Sequence, residues 1–255
     1  MKNAFKHIAD MNTAFGNLEK CCIGITNYEK LYNQALNLYD ELDELRDDGF
    51  ALLIKDKNSA KGRKEVVDAI DDLIVFLYGI PHFLGANYVE SHNLPSEEVL
   101  QDYQVFKMNI RNYNVENTLY TNVYNDIKGL IDKLVSSIQN KADYDTVMSD
   151  TQRIDTYLFA LCEFYGINIK LSIDRVTQSN MSKLCKNNEE AEETLKFYRD
   201  KGVDVYAKDS PLIQEDGTPY IVVYSSKEQT VNDKVYRAHK FLKCVRWFEP
   251  DLSDL

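Results

Sequence analysis

Two pairs of carboxylates stand at helical spacing: Glu41 and Glu44 in YDELDEL, and Glu65 and Asp68 in KEVVDAIDDLIVFLYG. An i, i+3 spacing puts both acids of a pair on one helix face, about one turn apart. Two such helices packed together can aim four carboxylates at one point. That arrangement suits Mg²⁺, which takes hard oxygen ligands. Glu41 and Glu44 alone are equally compatible with a solvated face. The second pair says more, because Asp68, Asp71 and Asp72 sit among Val, Ile, Leu and Phe. A carboxylate in apolar surroundings normally takes up a proton to shed its charge. A bound cation compensates the charge instead. Glu65, Asp68 and Asp72, at i, i+3 and i+7, form one stripe on that helix.

Mg²⁺ held by carboxylates, with positions left for water and phosphate, points to phosphate chemistry, and Mn²⁺ is an acceptable substitute. A triphosphate then needs cations and polar groups nearby. Lys61 and Arg63 lie just ahead of Glu65, and Asn180, Ser182 and Lys183 cluster in SNMSK. Asn12, Phe15 and Asn180 are candidates for touching a base, since rings stack and amides read base edges. Most aromatic residues in such a chain belong to the core.

The elements that position these groups are mainly helical. Ten Gly and five Pro in 255 residues are few, which favours long helices over a strand-rich fold. A short helix is expected around AFKHIADMNTAFG. A second is expected over 28–48, striped by Leu31, Ala35, Leu38, Leu42 and Leu45 and stopped at Asp47-Asp48-Gly49. The segment 50–62 reads as a loop or irregular helix. A largely buried helix follows over 64–84, carrying Val66, Val67, Ile70, Leu73, Ile74 and Leu77. Asn93-Leu94-Pro95-Ser96 restarts the chain with Ser96 as N-cap. Helices over 119–139 and 146–165 come next, the latter closed by Gly166.

These later helices align with the earlier ones. LYNQALNLYDELDEL lies over LYTNVYNDIKGLIDKL with one gap, and DLIVFLYGIPHFLG over RIDTYLFALCEFYG. In that register Glu41 and Glu44 meet Leu130 and Lys133, and Glu65 and Asp68 meet Thr146 and Ser149. The expected organisation is therefore a ligand-bearing helical repeat over 1–95 and a degenerate second repeat over 96–188 that packs on it. A C-terminal helix with a small β-hairpin appendage occupies 189–255, its strands VDVYAKD and PYIVVYSS broken at Glu215-Asp216-Gly217, with a further turn at Asn232-Asp233.

The formal charge of −11 argues against nucleic acid as the main ligand, because sequence-independent binding needs a basic surface. No apolar run approaches the ~20 residues of a membrane span, so a soluble, cytoplasmic protein is expected. The five cysteines, Cys21, Cys22, Cys162, Cys185 and Cys244, have neither a paired framework nor a zinc spacing and read as reduced thiols.

The ExxE motif, about twenty residues, then ExxD entering an apolar helix resembles the all-α nucleoside triphosphate pyrophosphatases: MazG-like enzymes, dimeric dUTPases and phosphoribosyl-ATP pyrophosphohydrolase. KEVVDAIDDLIVFLYGIPHFLG and MNTAFG are similar to MazG-like members often encoded by phages, for which the location would be the host cytoplasm. RVTQSNMSKL and the distant KFLKCVRWFEPDL resemble the SNMSK and lysine-proline-rich ending of that group. The resemblance implies a MazG-like helical bundle in which Glu41, Glu44, Glu65 and Asp68 bind Mg²⁺, with cleavage between the α and β phosphates of a nucleoside triphosphate. Family members usually build each site from two subunits. The duplication points to an intrachain pseudo-dimer with one site, whether monomer or homodimer. The expected mechanism has Glu44 as first choice of base and Asp40 as second, with Lys183 and Arg63 steadying pyrophosphate. Two other readings share the same residues: a nucleotide-binding sensor or sponge without turnover, and a helical interaction protein with merely solvated acids.

Overall fold

The computed structural model describes residues 2–15, 26–85 and 96–252. Gly16, Cys21, Cys22 and Asn93-Leu94-Pro95, all singled out in the sequence, lie outside these residues. The described chain is mainly helical with a small antiparallel sheet near its C-terminal end, and none of its helices is long and apolar enough to cross a membrane. It divides into two compact units, the first comprising 1–5, 22–174 and 251–255, the second 6–21 and 175–250. Both helical segments aligned above fall in the first unit.

In that unit α2 (Tyr28–Glu44) and α4 (Ala60–Phe83) form one pair, α6 (Leu119–Gln139) and α7 (Tyr144–Tyr165) another. Asn27 Oδ1 caps α2 by accepting from Lys30 N, Ser59 Oγ caps α4 through Gly62 N, and Asp143 caps α7 through Thr146 N. The α2 stripe is buried from Leu31 to Leu45, as are Val66, Val67, Ile70, Leu73, Ile74 and Leu77 of α4. Each helix packs on two neighbours, α2 on α4 and α6, α7 on α6 and α4, closing a ring of four. Neighbours run antiparallel. Asn27 N donates to Phe83 O at one end of the α2–α4 seam and Gln34 Nε2 to Phe76 O about two turns inward. Tyr39 donates to Asp132 and Gln139 to Tyr32 across α2–α6. Tyr78 donates to Asp155 across α4–α7, and Tyr157 to Asp126 across α6–α7. Outside the ring, α5 (Glu97–Val115) packs on α7 and α6, its first turn capped by Ser96 Oγ accepting from Val99 N. Gly166, at φ +69°, ends α7 in the left-handed conformation glycine favours.

The expected stop at Asp47-Asp48-Gly49 is overturned. Leu45–Phe50 forms a π-helical turn, closed by Ala51 N donating to Arg46 O, and runs straight into α3 (Ala51–Lys55). Gly49 is buried in it, and a Cβ there would meet Val66 Cγ2 at 2.8 Å and Val66 N at 3.2 Å. Its small size serves close helix approach rather than termination. The region after it is accordingly helical to Lys55, and α4 begins at Ala60, earlier than expected.

The second unit includes most of α1 (Lys2–Ala14), the end of α8 (Ile169–Met181), α9 (Asn188–Asp200) and all the strands. Strand β1 (Val205–Ile213) pairs antiparallel with β2 (Pro219–Ser225) from Val205↔Ser225 to Asp209↔Ile221, and the register shifts before Ile213↔Pro219. The sheet exceeds the hairpin expected. β5 (Phe241–Leu242) adds to β2, Cys185 bridges Ile221, and β3 (Gln229–Val231) with β4 (Lys234–Tyr236) makes a second hairpin about Asn232-Asp233. Two- and three-residue strands carry too little alternation to be read from sequence. One sheet face packs Val205, Ile221 and Val223 against Ala191 and Leu195 of α9. The other packs Val222 against Ala14 and Leu184, with Phe15 stacked on Phe241 at 4.2 Å between ring centres.

Gly49→Ala destabilises the protein by about 1–3 kcal/mol, the usual cost of overpacking, read as a lower midpoint in thermal unfolding. A glycine acting only as a helix stop would instead leave the midpoint unchanged or raised, because Ala is the better helix former.

Candidate metal centre

Antiparallel packing of α2 on α4 turns two sequence motifs into one cluster. Glu41 and Glu44 occupy the last turn of α2, and Asp48 follows in the π-helical turn. Glu65, Asp68 and Asp72 occupy α4. Each set therefore stands at i, i+3, i+7. The antiparallel register, Asn27 against Phe83 and Gln34 against Phe76, sets which acids face one another, and their electrostatics agree. Burial first, then the charges of Asp72, Glu44, Asp40 and Asp68, push the half-buried Glu41 carboxyl up to about 8. Glu44, which is exposed, is raised by desolvation and then by Asp48, Asp68, Asp40 and Glu65. Glu41 thus faces Asp72, while Glu44 faces Asp68 and Glu65, as two antiparallel stripes require.

Asp48 is the participant the sequence reading missed, because it was assigned to a helix stop. The available signal was that 41, 44, 48 repeats the spacing of 65, 68, 72. Asp40, like Glu44, is exposed beside the cluster. Asp71 lies elsewhere on α4: it is fully buried and accepts from Ser172 Oγ. Desolvation holds its carboxyl well above the usual range, against the lowering effect of that hydrogen bond. It is a core group, distinct from the stripe.

Among the described residues, no three His, Cys, Asp or Glu side chains have donor atoms already converged at cation spacing. A hard divalent cation nevertheless fits this donor set in its chemistry. The facing groups are all carboxylates, three from each stripe, and their mutual repulsion is what a cation relieves.

The remaining predicted site residues divide between the units. Lys61 and Arg63 are in the first; Lys61 is exposed, and Arg63 Nη2 donates to Tyr165 O at 3.1 Å. Asn12, Phe15, Asn180, Ser182 and Lys183 are in the second. There Lys183 Nζ donates to Asn180 Oδ1, Ser182 Oγ donates to Ser179 O at 2.7 Å, and Phe248 N donates to Ser182 Oγ. Cys244 N donates to Lys183 O at 3.1 Å. SNMSK is thus held by the segment around KFLKCVRWF, far away in sequence. Phe15 and Met181 border the same apolar cluster, and Asn12 is buried.

An uncharacterized protein of Acanthamoeba polyphaga mimivirus, L479, is 33% identical over 200 residues, which cover 75% of this chain and 73% of that protein. The chain belongs to the family of that viral protein. No protein-family model and no solved structure matches it.

The coupling within the cluster has a definite sign. The folded protein keeps the Glu41 proton up to about pH 8, whereas the unfolded chain loses it near 4.5. The folded state therefore binds more protons across that window, and this contribution to stability is lost as pH rises through it. In EDTA, the thermal midpoint of the wild type falls more steeply from pH 5 to 8 than that of Glu41→Gln, whose amide carries no charge. Parallel pH profiles for the two proteins would show that Glu41 does not face the other acids.

Proposed function

We propose that this protein is a Mg²⁺-dependent nucleoside triphosphate pyrophosphohydrolase of the all-α, MazG-like kind. It cleaves the α–β phosphoanhydride of a nucleoside triphosphate, ribo or deoxy, to the monophosphate and pyrophosphate. The observation that carries the reading is the facing of two acid stripes, Glu41/Glu44/Asp48 and Glu65/Asp68/Asp72, across an antiparallel helix pair. That is the arrangement the ExxE and ExxD resemblance implies. Glu41, Glu44, Glu65 and Asp68 hold the metal, with Asp72 beside Glu41. Bound Mg²⁺, or Mn²⁺ in its place, supplies charge neutralisation on phosphate oxygens and a water of lowered pKa.

The chain's own residues do the rest. Glu44 is both in the cluster and exposed to solvent, so it is the group a water reaches, and it orients that water toward the α-phosphorus and accepts its proton. Asp40, exposed one turn earlier, is the second choice. Lys61 and Arg63 lie on the α4 end that carries Glu65, where pyrophosphate leaves.

The helix ring supports an intrachain pseudo-dimer. Under the sequence alignment α2 matches α6 and α4 matches α7, and the antiparallel pairs α2–α6 and α4–α7 are those a twofold relation between two hairpins produces. The same register lays Glu44 over Lys133, Asp48 over Ser137 and Asp72 over Arg153. Lys133 pairs with the buried Asp150 at 2.9 Å, Ser137 Oγ donates to it at 2.6 Å, and Arg153 approaches at 3.8 Å. Where the first half gathers carboxylates, the second supplies its own cations. One metal site per chain follows.

The deciding experiment is Mg²⁺-dependent release of pyrophosphate across a panel of canonical and modified nucleotides. Glu41→Gln and Glu65→Gln lose turnover by roughly 10²-fold or more, as removal of a transition-state charge stabiliser does. Lys133→Met, in the second half, keeps wild-type turnover wherever its thermal midpoint shows a folded protein. Wild-type rates in both acid variants would refute the assignment, and tight calorimetric binding without product would identify a sensor. Mg²⁺ itself should raise the stability of the wild type by about 2.7 kcal/mol at a hundredfold excess over its Kd. It should not do so for the Glu41→Gln, Glu65→Gln double variant.

A further inference from the structure

Two thiols that no step above uses meet in the second unit. Cys185 follows SNMSK, and Cys244 lies just beyond β5; they are 1% and 3% exposed. Both belong to the apolar cluster under α9. Thr194 Oγ1 of α9 lies between them, 3.6 Å from Cys185 Sγ and 3.5 Å from Cys244 Sγ. One hydroxyl thus reaches both sulfurs. The two segments run side by side here: Cys244 N donates to Lys183 O, and Cys185 N and O both pair with Ile221 of β2, the strand that carries β5 on its edge. Backbone hydrogen bonds thus hold the two thiol-bearing segments side by side, as the short Cα span of a disulfide, ~4.4–6.8 Å, requires.

We propose that Cys185 and Cys244 are a reversible redox modification site, forming a disulfide that staples the SNMSK segment to the C-terminal segment when the protein meets hydrogen peroxide. Cys244 is the attacking sulfur. It accepts from Thr194 Oγ1 and from Arg246 N, each at 3.5 Å, and such hydrogen bonds stabilise a thiolate. Its sequence neighbours Lys243 and Arg246 are exposed, so the segment that carries it runs near the surface.

The chemistry balances with peroxide as oxidant. The Cys244 thiolate attacks one peroxide oxygen, the O–O bond breaks, and hydroxide leaves and takes up a proton to become water. The Cys185 sulfur then attacks the sulfenic sulfur, the S–O bond breaks, and a second water departs with the Cys185 proton. Two thiols lose two electrons, and one peroxide is reduced to two waters. The resulting loop joins residues far apart in sequence, the case in which closing the unfolded chain stabilises most in the chain-entropy description. The staple is independent of the pyrophosphohydrolase reading.

The full-length protein, reduced and then treated with hydrogen peroxide, is alkylated, digested and mapped by mass spectrometry. The expected result is a cross-linked peptide containing Cys185 and Cys244, lighter by two hydrogens than the sum of its reduced parts. A rise of several degrees in thermal midpoint accompanies it, and both changes are reversed by dithiothreitol. Cys185→Ala and Cys244→Ala each lose the cross-link and the rise. The wild-type map decides the matter even where a variant fails to fold. Unreacted thiols at these positions, sulfinic or sulfonic products without a link, pairing with another cysteine, or a link without a rise in midpoint each overturn the proposal.

Discussion

The first unit depends on one seam, the antiparallel contact of α2 with α4. It brings together acids that repel, so something else must hold the helices closed. Leu31, Leu38, Leu42, Leu45, Ile70, Leu73, Ile74 and Leu77 are fully buried, and each such side chain contributes about 1.5–3 kcal/mol when removed from water. A pair of like charges at a solvated surface costs about 1 kcal/mol at 4 Å. The apolar seam outweighs the repulsion by a wide margin. The acids can therefore be held facing one another, and burial together with their repulsion raises the Glu41 carboxyl. Gly49 against Val66 is part of the same closure: the helices approach so closely at that end that no side chain fits.

The two hairpins of the ring treat charge in opposite ways. Between α2 and α4 there are carboxylates on both sides. Between α6 and α7, Asp150 is buried with Lys133, Ser137 and Arg153 around it, and Arg153 also pairs with Glu98 and Asp102 of α5. A buried carboxylate left alone would be costly, and these partners remove that cost. The buried acid of the second hairpin thus has its partners within the chain.

Much of this was legible beforehand. The stripes of α2 and α4, the helix bounds of α6, the caps Ser96 and Gly166 and the turn at Asn232-Asp233 follow from period and local chemistry, which act within a few residues. The π-helical turn did not. Asp47-Asp48-Gly49 has the composition of a stop, and only the contact with Val66 explains why a glycine sits inside continuing helix. Asp48 was missed for that reason. The short strands β3 to β5 and the helix α8 were missed because neither carries enough repeating pattern.

By itself the sequence determined the acid spacing, the helical class and the faces that must be buried, since each follows from one residue's distance to the next along a single element. The tertiary structure decided which elements meet. It set Glu41 against Asp72 and Glu44 against Asp68 and Glu65, gave Lys133 to Asp150, tied SNMSK to the segment around Cys244, and brought Cys185 and Cys244 to the same Thr194 hydroxyl. These pairings join residues tens of positions apart. Their energies arise only once the chain has closed, and no local spacing records them.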